Sequence, residues 1–216
     1  MKKIIVILFL FVSLSCEEAT IEPIPPDIQQ PTKRDSIWGD YFPNSVGSFW
    51  EYNVIIEGSF SHKLNISIEK RILINKKISA SVWNFKDKNG SYKNYVAIIE
   101  DSVFFFTNTQ NLNEAKSIIK QYILPLNIFR NWNARLLDLD FGSDRISGGS
   151  IIGKVNVPAG NFDNVIELER IIDAKDEKSH QWLNFVEGIG LIRLEKIDNS
   201  TNNNIIWELV NYQIKN

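Results

Sequence analysis

The sequence predicts a mainly β fold: a curved antiparallel sheet, half-barrel or barrel-like, carrying one amphipathic helix. Three observations predict it. Beyond residue 37, apolar and polar residues alternate at period two along most of the chain, the pattern of strands buried on one face. Turn-forming residues at Asn89-Gly90, at Gly148-Gly149 and over 198–204 cut the alternation into short runs, and runs joined by tight turns pair antiparallel. A single stretch, 111–124, changes to helical spacing.

Taken in order, residues 1–15 hold a basic start (Lys2, Lys3) and an apolar run over 4–12. That run is shorter than the roughly 20 residues needed to cross a bilayer, so it reads as a signal peptide. Cys16, the one cysteine of the chain, directly follows the small residue Ser15. This junction resembles the lipobox of bacterial lipoproteins, although Ser13 and Leu14 stand where the pattern has Leu and then a small residue. The resemblance implies acylation of Cys16, with membrane lipid as partner and attachment made effectively permanent by two or more acyl chains. Residues 16–36 carry four of the seven prolines, at 23, 25, 26 and 31, and almost no periodic apolar content. Such a segment buries too little surface to offset its ordering entropy and is expected to be an extended tether. The expected location is the cell envelope, at the outer membrane. Glu17-Glu18 resembles the acidic export signal of surface lipoproteins, so periplasmic and cell-surface faces both stay open.

The folded domain is expected over 37–216 as a single unit. Trp50, Tyr52, Val54 and Ile56 share one face, opposite Glu51 and Asn53. Leu64, Ile66, Ile68, Ile72 and Ile74 are expected to share another, opposite Asn65, Ser67, Glu69 and Arg71. Further strands are predicted over 78–86, 93–100, 102–107, 144–157, 162–173, 180–187, 190–198 and 204–214. Within 111–124, Leu112, Ala115, Ile118, Ile119, Tyr122 and Ile123 fall at helical spacing, Asn111 and Glu114 suit the start, and Pro125 ends the run. A sheet of eight or more strands tends to curl or close. A half-barrel around the helix is the favoured architecture, with a closed calycin-like barrel and a sandwich as alternatives.

Three strings carry a family resemblance. Tyr41-Phe42-Pro43 with Gly47-Ser48-Phe49-Trp50-Glu51-Tyr52 resembles the FPxxxGxxWxY opening of uncharacterised Bacteroidetes-type envelope lipoproteins. Val157-Pro158-Ala159-Gly160-Asn161-Phe162 is similar to their VPAGxF hairpin, and Glu187-Gly188-Ile189-Gly190-Leu191-Ile192 to their GxGLV turn. The resemblance implies an antiparallel β fold and an envelope address, and brings no activity. Pro158 suits the second position of a tight turn, and Gly188 and Gly190 suit a bulge or a close backbone approach.

Composition excludes several chemistries. With 24 Lys and Arg against 26 Asp and Glu, the chain lacks the basic surface that grips nucleic acid. One cysteine and two histidines cannot build the usual structural zinc sites. The run from Asp138 to Asp144 superficially resembles a calcium loop but has Gly142 at position 5 and Gly149 at position 12, so no metal or cofactor is expected. Neither His62 nor His180 accompanies a nucleophile elbow. Glu167 and Glu169 share a strand face and are the carboxylate pair a hydrolase would need. Of the six tryptophans, Trp50 and Trp207 fit core positions, while Trp132, flanked by Asn131 and Asn133, is hard to place by packing. Trp132, Trp83 and Phe85 are the candidate ligand-binding residues, since aromatic faces with a few amides suit sugars and apolar molecules. The expected function is therefore non-enzymatic binding of a small apolar or glycan ligand, or of an envelope protein. A structural module without a pocket and a carboxylate-dependent hydrolase are the alternatives.

Overall fold

The alternating runs pair into hairpins that share one sheet. A computed structural model describes residues 41–74, 78–106, 118–123, 126, 130–134, 142–175 and 177–215. Residues 1–15, Cys16 and the tether to residue 36 lie outside the described residues. The strands are β1 (Phe49–Ile56), β2 (Ser59–Ile74), β3 (Ile78–Asp87), β4 (Gly90–Ile99), β5 (Ser102–Phe106) and β6 (Ile118–Ile123), then β7 (Asn131–Asn133), β8 (Gly142–Val157), β9 (Gly160–Ala174), β10 (Lys178–Val186), β11 (Gly190–Asp198) and β12 (Asn203–Gln213). They form a 12-stranded sheet in the order β6-β5-β4-β3-β2-β1-β12-β11-β10-β9-β8-β7, antiparallel at each pairing. Two six-stranded meanders are thus joined through the β1–β12 ladder, where Val54 stands opposite Trp207.

This topology forces the sheet to roll. Laid flat, twelve strands would separate β6 from β7 by about 53 Å at ~4.8 Å per spacing. Only eight residue steps connect Ile123 to Asn131, a reach of about 29 Å at most. The rolled state is visible in the side chains: the Tyr122 ring on edge strand β6 meets Phe185 on β10 edge-to-face at 5.2 Å. No ladder joins β6 to β7 among the described residues, so the sheet curls without closing.

The concave face carries the main core, in which Trp50, Tyr52, Val54, Leu64, Ile66 and Ile68 from β1 and β2 meet Leu168, Leu183 and Phe185 from β9 and β10. The core runs from Phe42 to Leu209, with partly buried neighbours out to Ile214. Every described core residue therefore lies downstream of Cys16.

Two sequence expectations are corrected here. Ile72 and Ile74 do not share a face with Ile66 and Ile68. The β2–β3 register slips between Ile68 and Lys70, and the extra residue of a β-bulge turns all later side chains over. Ile74 accordingly packs with Ile78, Ala80, Ala97 and Phe106 in a second, convex-side cluster. The other correction concerns the helix. Residues 118–123 are strand β6, with Ser102 opposite Ile123 and Val103 opposite Tyr122; 111–117 lie outside the described residues, as do 135–141. An Ile- and Tyr-rich run fits either period. The open backbone edge of β5 decides for strand, where β-branched and aromatic residues pack well.

Candidate functional site

The roll encloses a cavity of about 500 Å³. Its wall is built mainly by alternation, which on β1, β3 and β10 turns every second residue inward. β1 sends in Trp50 and Tyr52, β3 sends Trp83 and Phe85, and β10 sends Gln181, Leu183 and Phe185. The aromatic wall is continuous. Phe42 and Trp50 stack on Trp83 at 5.0 and 5.2 Å, Phe42 meets Tyr122 at 5.4 Å, and Tyr122 meets Phe185.

The polar groups of this wall are satisfied by the fold. Trp50 Nε1 donates to the Ile189 carbonyl at 2.7 Å, and the Tyr52 hydroxyl donates to the Leu191 carbonyl at 2.8 Å. Trp83 Nε1 donates to Asn44 Oδ1 at 2.8 Å, pinning the segment before β1 across the cavity end. Gly190, at φ +93°, lets that segment approach: a Cβ there would stand 3.3 Å from Pro43 Cδ and 3.9 Å from Trp50 Nε1.

The two ends of the cavity differ. Phe42, Trp50 and Gly190 close the end where β1 and β11 begin. At the opposite rim Gln181 stands directly across from Arg170 on β9 and from Lys196 on β11, and these three line the cavity with Gln121 and Glu177. Arg170 Nε and Nη2 donate to the two Asp144 carboxylate oxygens at 2.7 and 2.6 Å, deep in the structure. Burial acts to lower the guanidinium pKa, but the Asp144 hydrogen bonds and charge, with Tyr122 and Glu177 behind them, carry it above its ordinary value. Lys196 Nζ donates to Glu177 Oε1 at 2.8 Å, with the two side chains 26% and 34% exposed. Gln181 Nε2 donates to Ser179 Oγ at 3.1 Å. The polar end thus reaches solvent and the aromatic end does not.

Tyr52 and Tyr122 are both buried in this wall. Burial pushes both phenols up, helped at Tyr52 by the nearby Tyr122 and opposed at Tyr122 by the Gln121 hydrogen bond and the Arg170 charge. The folded state therefore holds these protons more tightly than the unfolded state. Their contribution to stability is fully present below the ordinary tyrosine pKa and falls as pH rises past about 10, by about 1.4 kcal/mol per pH unit for each phenol that stays neutral. Urea unfolding between pH 8 and pH 11 checks this. Tyr52→Phe is expected to show a shallower alkaline loss than the native chain, and equal slopes would disprove the assignment.

The candidate residues from sequence divide. Trp83 and Phe85 line the cavity. Trp132 lies in the main core at 8% exposure and does not line it. Its flanking asparagines are explained by β7 itself, in which Asn131 and Asn133 face outward and Trp132 inward toward Ile146. The indole Nε1 of Trp132 is buried without a hydrogen-bond partner among the described residues. Sequence reasoning missed the polar rim, because Arg170, Gln181 and Lys196 come from three strands and only the register brings them together.

His180, Glu167 and Glu169 fall on the convex face. His180 Nε2 lies 2.6 Å from Glu169 Oε1 and its ring sits 4.0 Å from Trp182, while Ser147 Oγ donates to Glu169 Oε2 at 3.5 Å. The carboxylate stands between hydroxyl and imidazole, whereas a nucleophile needs the imidazole in the middle. Glu167 accepts from Asn184 at 3.0 Å. Asp144 accepts from Arg170 with both carboxylate oxygens, and 138–141 lie outside the described residues. Among the described residues no three His, Cys, Asp or Glu side chains converge as metal ligands do.

Fold and site together define a class: an open, rolled antiparallel sheet of two meanders around an aromatic-lined cavity. No family model and no curated relative matches the chain. Among solved structures, a protein of Parabacteroides distasonis described as a lipoprotein is similar over 82% of this chain and 99% of its own, at 10% identity and a TM-score of 0.53. An exported protein of Bacteroides fragilis described as having a YmcC-like fold is similar over 80% of this chain and 98% of its own, at 16% identity and a TM-score of 0.49. A lipoprotein-sorting domain from Vibrio parahaemolyticus gives a TM-score of 0.26 at 10% identity, over 78% of this chain and 85% of its own. The first of these shows a shared fold.

Proposed function

We propose that this chain is a lipid-anchored envelope protein whose rolled sheet binds a small, largely apolar ligand, without catalysing a reaction. The cavity carries the reading: its volume of about 500 Å³ falls within the range of small-molecule sites, about 300–1,000 Å³, and its aromatic wall with a few polar groups at one end has their usual composition. The anchor rests on the leader, Ser15-Cys16 and the proline-rich tether, and the described lipoprotein of the same fold agrees with it. A non-catalytic role is supported by the convex placement of both His180 and the Glu167/Glu169 pair, away from the cavity.

Native mass spectrometry of residues 17–216, purified without detergent from cells, tests the reading. A reproducible extra mass of drug-like size that denaturation releases is the expected result. A bare chain whose tryptophan fluorescence no amphiphile perturbs would overturn it.

A further inference from the structure

The charges around the cavity balance in pairs. Arg170 is matched by Asp144 in a bidentate contact and Lys196 by Glu177. Among the described residues the polar end is therefore neutral in sum. It is still rich in hydrogen-bonding capacity. A guanidinium carries five N–H donors and an ammonium three, of which the contacts with Asp144 and Glu177 take two and one. Gln121 and Gln181, 8% and 6% exposed, bring amide donors and carbonyl acceptors. A ligand bearing a net charge would enter a neutral, half-desolvated rim with no counter-ion waiting for it. Burying such a charge costs far more than burying a hydroxyl or amide that finds partners.

From this balance and the apolar depth behind it, we propose that the cavity takes an uncharged amphiphile, apolar body first. Its hydroxyl- or amide-type head lies at Gln181 between Arg170 and Lys196. The inference rests on the cavity reading above and adds the ligand's charge class and direction. The closed aromatic end at Phe42 and Trp50 accommodates hydrocarbon and offers no free donor, because the indole N–H of Trp50 is already bound to the Ile189 carbonyl. The head then lies beside the partly exposed Lys196–Glu177 pair, where it keeps contact with water.

Chain-matched probes test this on residues 17–216 at pH 8: dodecanoate and dodecyltrimethylammonium below their micelle concentrations and 1-dodecanol below its solubility limit, each titrated against tryptophan fluorescence. Dodecanol is expected to bind at least tenfold more tightly than either ion. Glu177→Gln leaves the rim one positive charge in excess, so the affinity ratio of dodecanoate to dodecanol is expected to rise at least tenfold. Lys196→Gln is expected to do the same for the ammonium probe. Both positions are partly exposed, so folding survives these changes, and a merely structural role would not move charge preference in opposite directions. An ion binding as tightly as the alcohol, or variants that leave the order unmoved, would overturn the ligand class while leaving the cavity reading intact. If none of the three probes binds, the cavity reading itself falls.

Discussion

Arg170→Leu is expected to lower the unfolding free energy by about 3–5 kcal/mol. The substitution leaves the Asp144 carboxylate, whose side chain is fully buried, without the two charge-assisted hydrogen bonds that compensate its desolvation. A buried charge stripped of its bidentate partner costs more than the pair contributed in net stability. The prediction is sharpened by the double variant. Arg170→Leu with Asp144→Leu removes both charges from the interior between β8 and β9, where Ile146 stands opposite Arg170 and Ile172 opposite Asp144. Apolar replacement of a whole buried pair is often neutral or stabilising, so the double variant is expected to recover most of the loss. Urea unfolding of the native chain, both single variants and the double variant measures the cycle. A double variant as unstable as the worse single would show that the loss comes from packing volume, not from charge. If the pair is retained despite its small net stability, its use is positional: Arg170 lines the cavity while Asp144 fixes which way its guanidinium faces.

The same register that joins those charges marks the limit of what the sequence could show. Period-two alternation located β1, β8, β9 and β12 to within a few residues. It failed at three places for three physical reasons. At Ile72 and Ile74 a bulge after Ile68 exchanged the faces, and nothing in the residue types announces an extra unpaired residue. At 118–123 an apolar run too short to fix its own period was drawn into the sheet by the edge of β5. At Trp132 a strand of three residues offered too little pattern to recognise, so ordinary alternation looked like a special exposure. The aromatic half of the candidate site was legible, since Trp83 and Phe85 declare a common face two residues apart. The polar half was not: Arg170, Gln181 and Lys196 look like ordinary strand residues until β9, β10 and β11 set them side by side.

Trp83→Ala is expected to cost about 3–5 kcal/mol and to loosen the closed end of the cavity. Trp83 is 6% exposed and is stacked on both Phe42 and Trp50, so its removal opens a void between two rings that cannot both move to fill it. Stacked aromatic pairs add about 0.5–1.5 kcal/mol each beyond the area they bury. The indole also holds the segment before β1, since Asn44 Oδ1 accepts from Nε1 while the Asn44 carbonyl accepts from Ser81 Oγ at 3.3 Å. Trp83→Phe separates the two contributions: it keeps much of the stack, loses the hydrogen bond and is expected to cost less than the alanine change by at least about 2 kcal/mol. Hydrogen exchange of residues 41–48 reads the second effect. Faster exchange there in both variants is the expected result, because both lose the tie to Asn44. Exchange unchanged in Trp83→Phe would mean that Phe42 packing and the remaining bonds, Ser81 Oγ to the Asn44 carbonyl and Gly47 N–H to the Ile68 carbonyl, hold the segment without the Trp83–Asn44 bond.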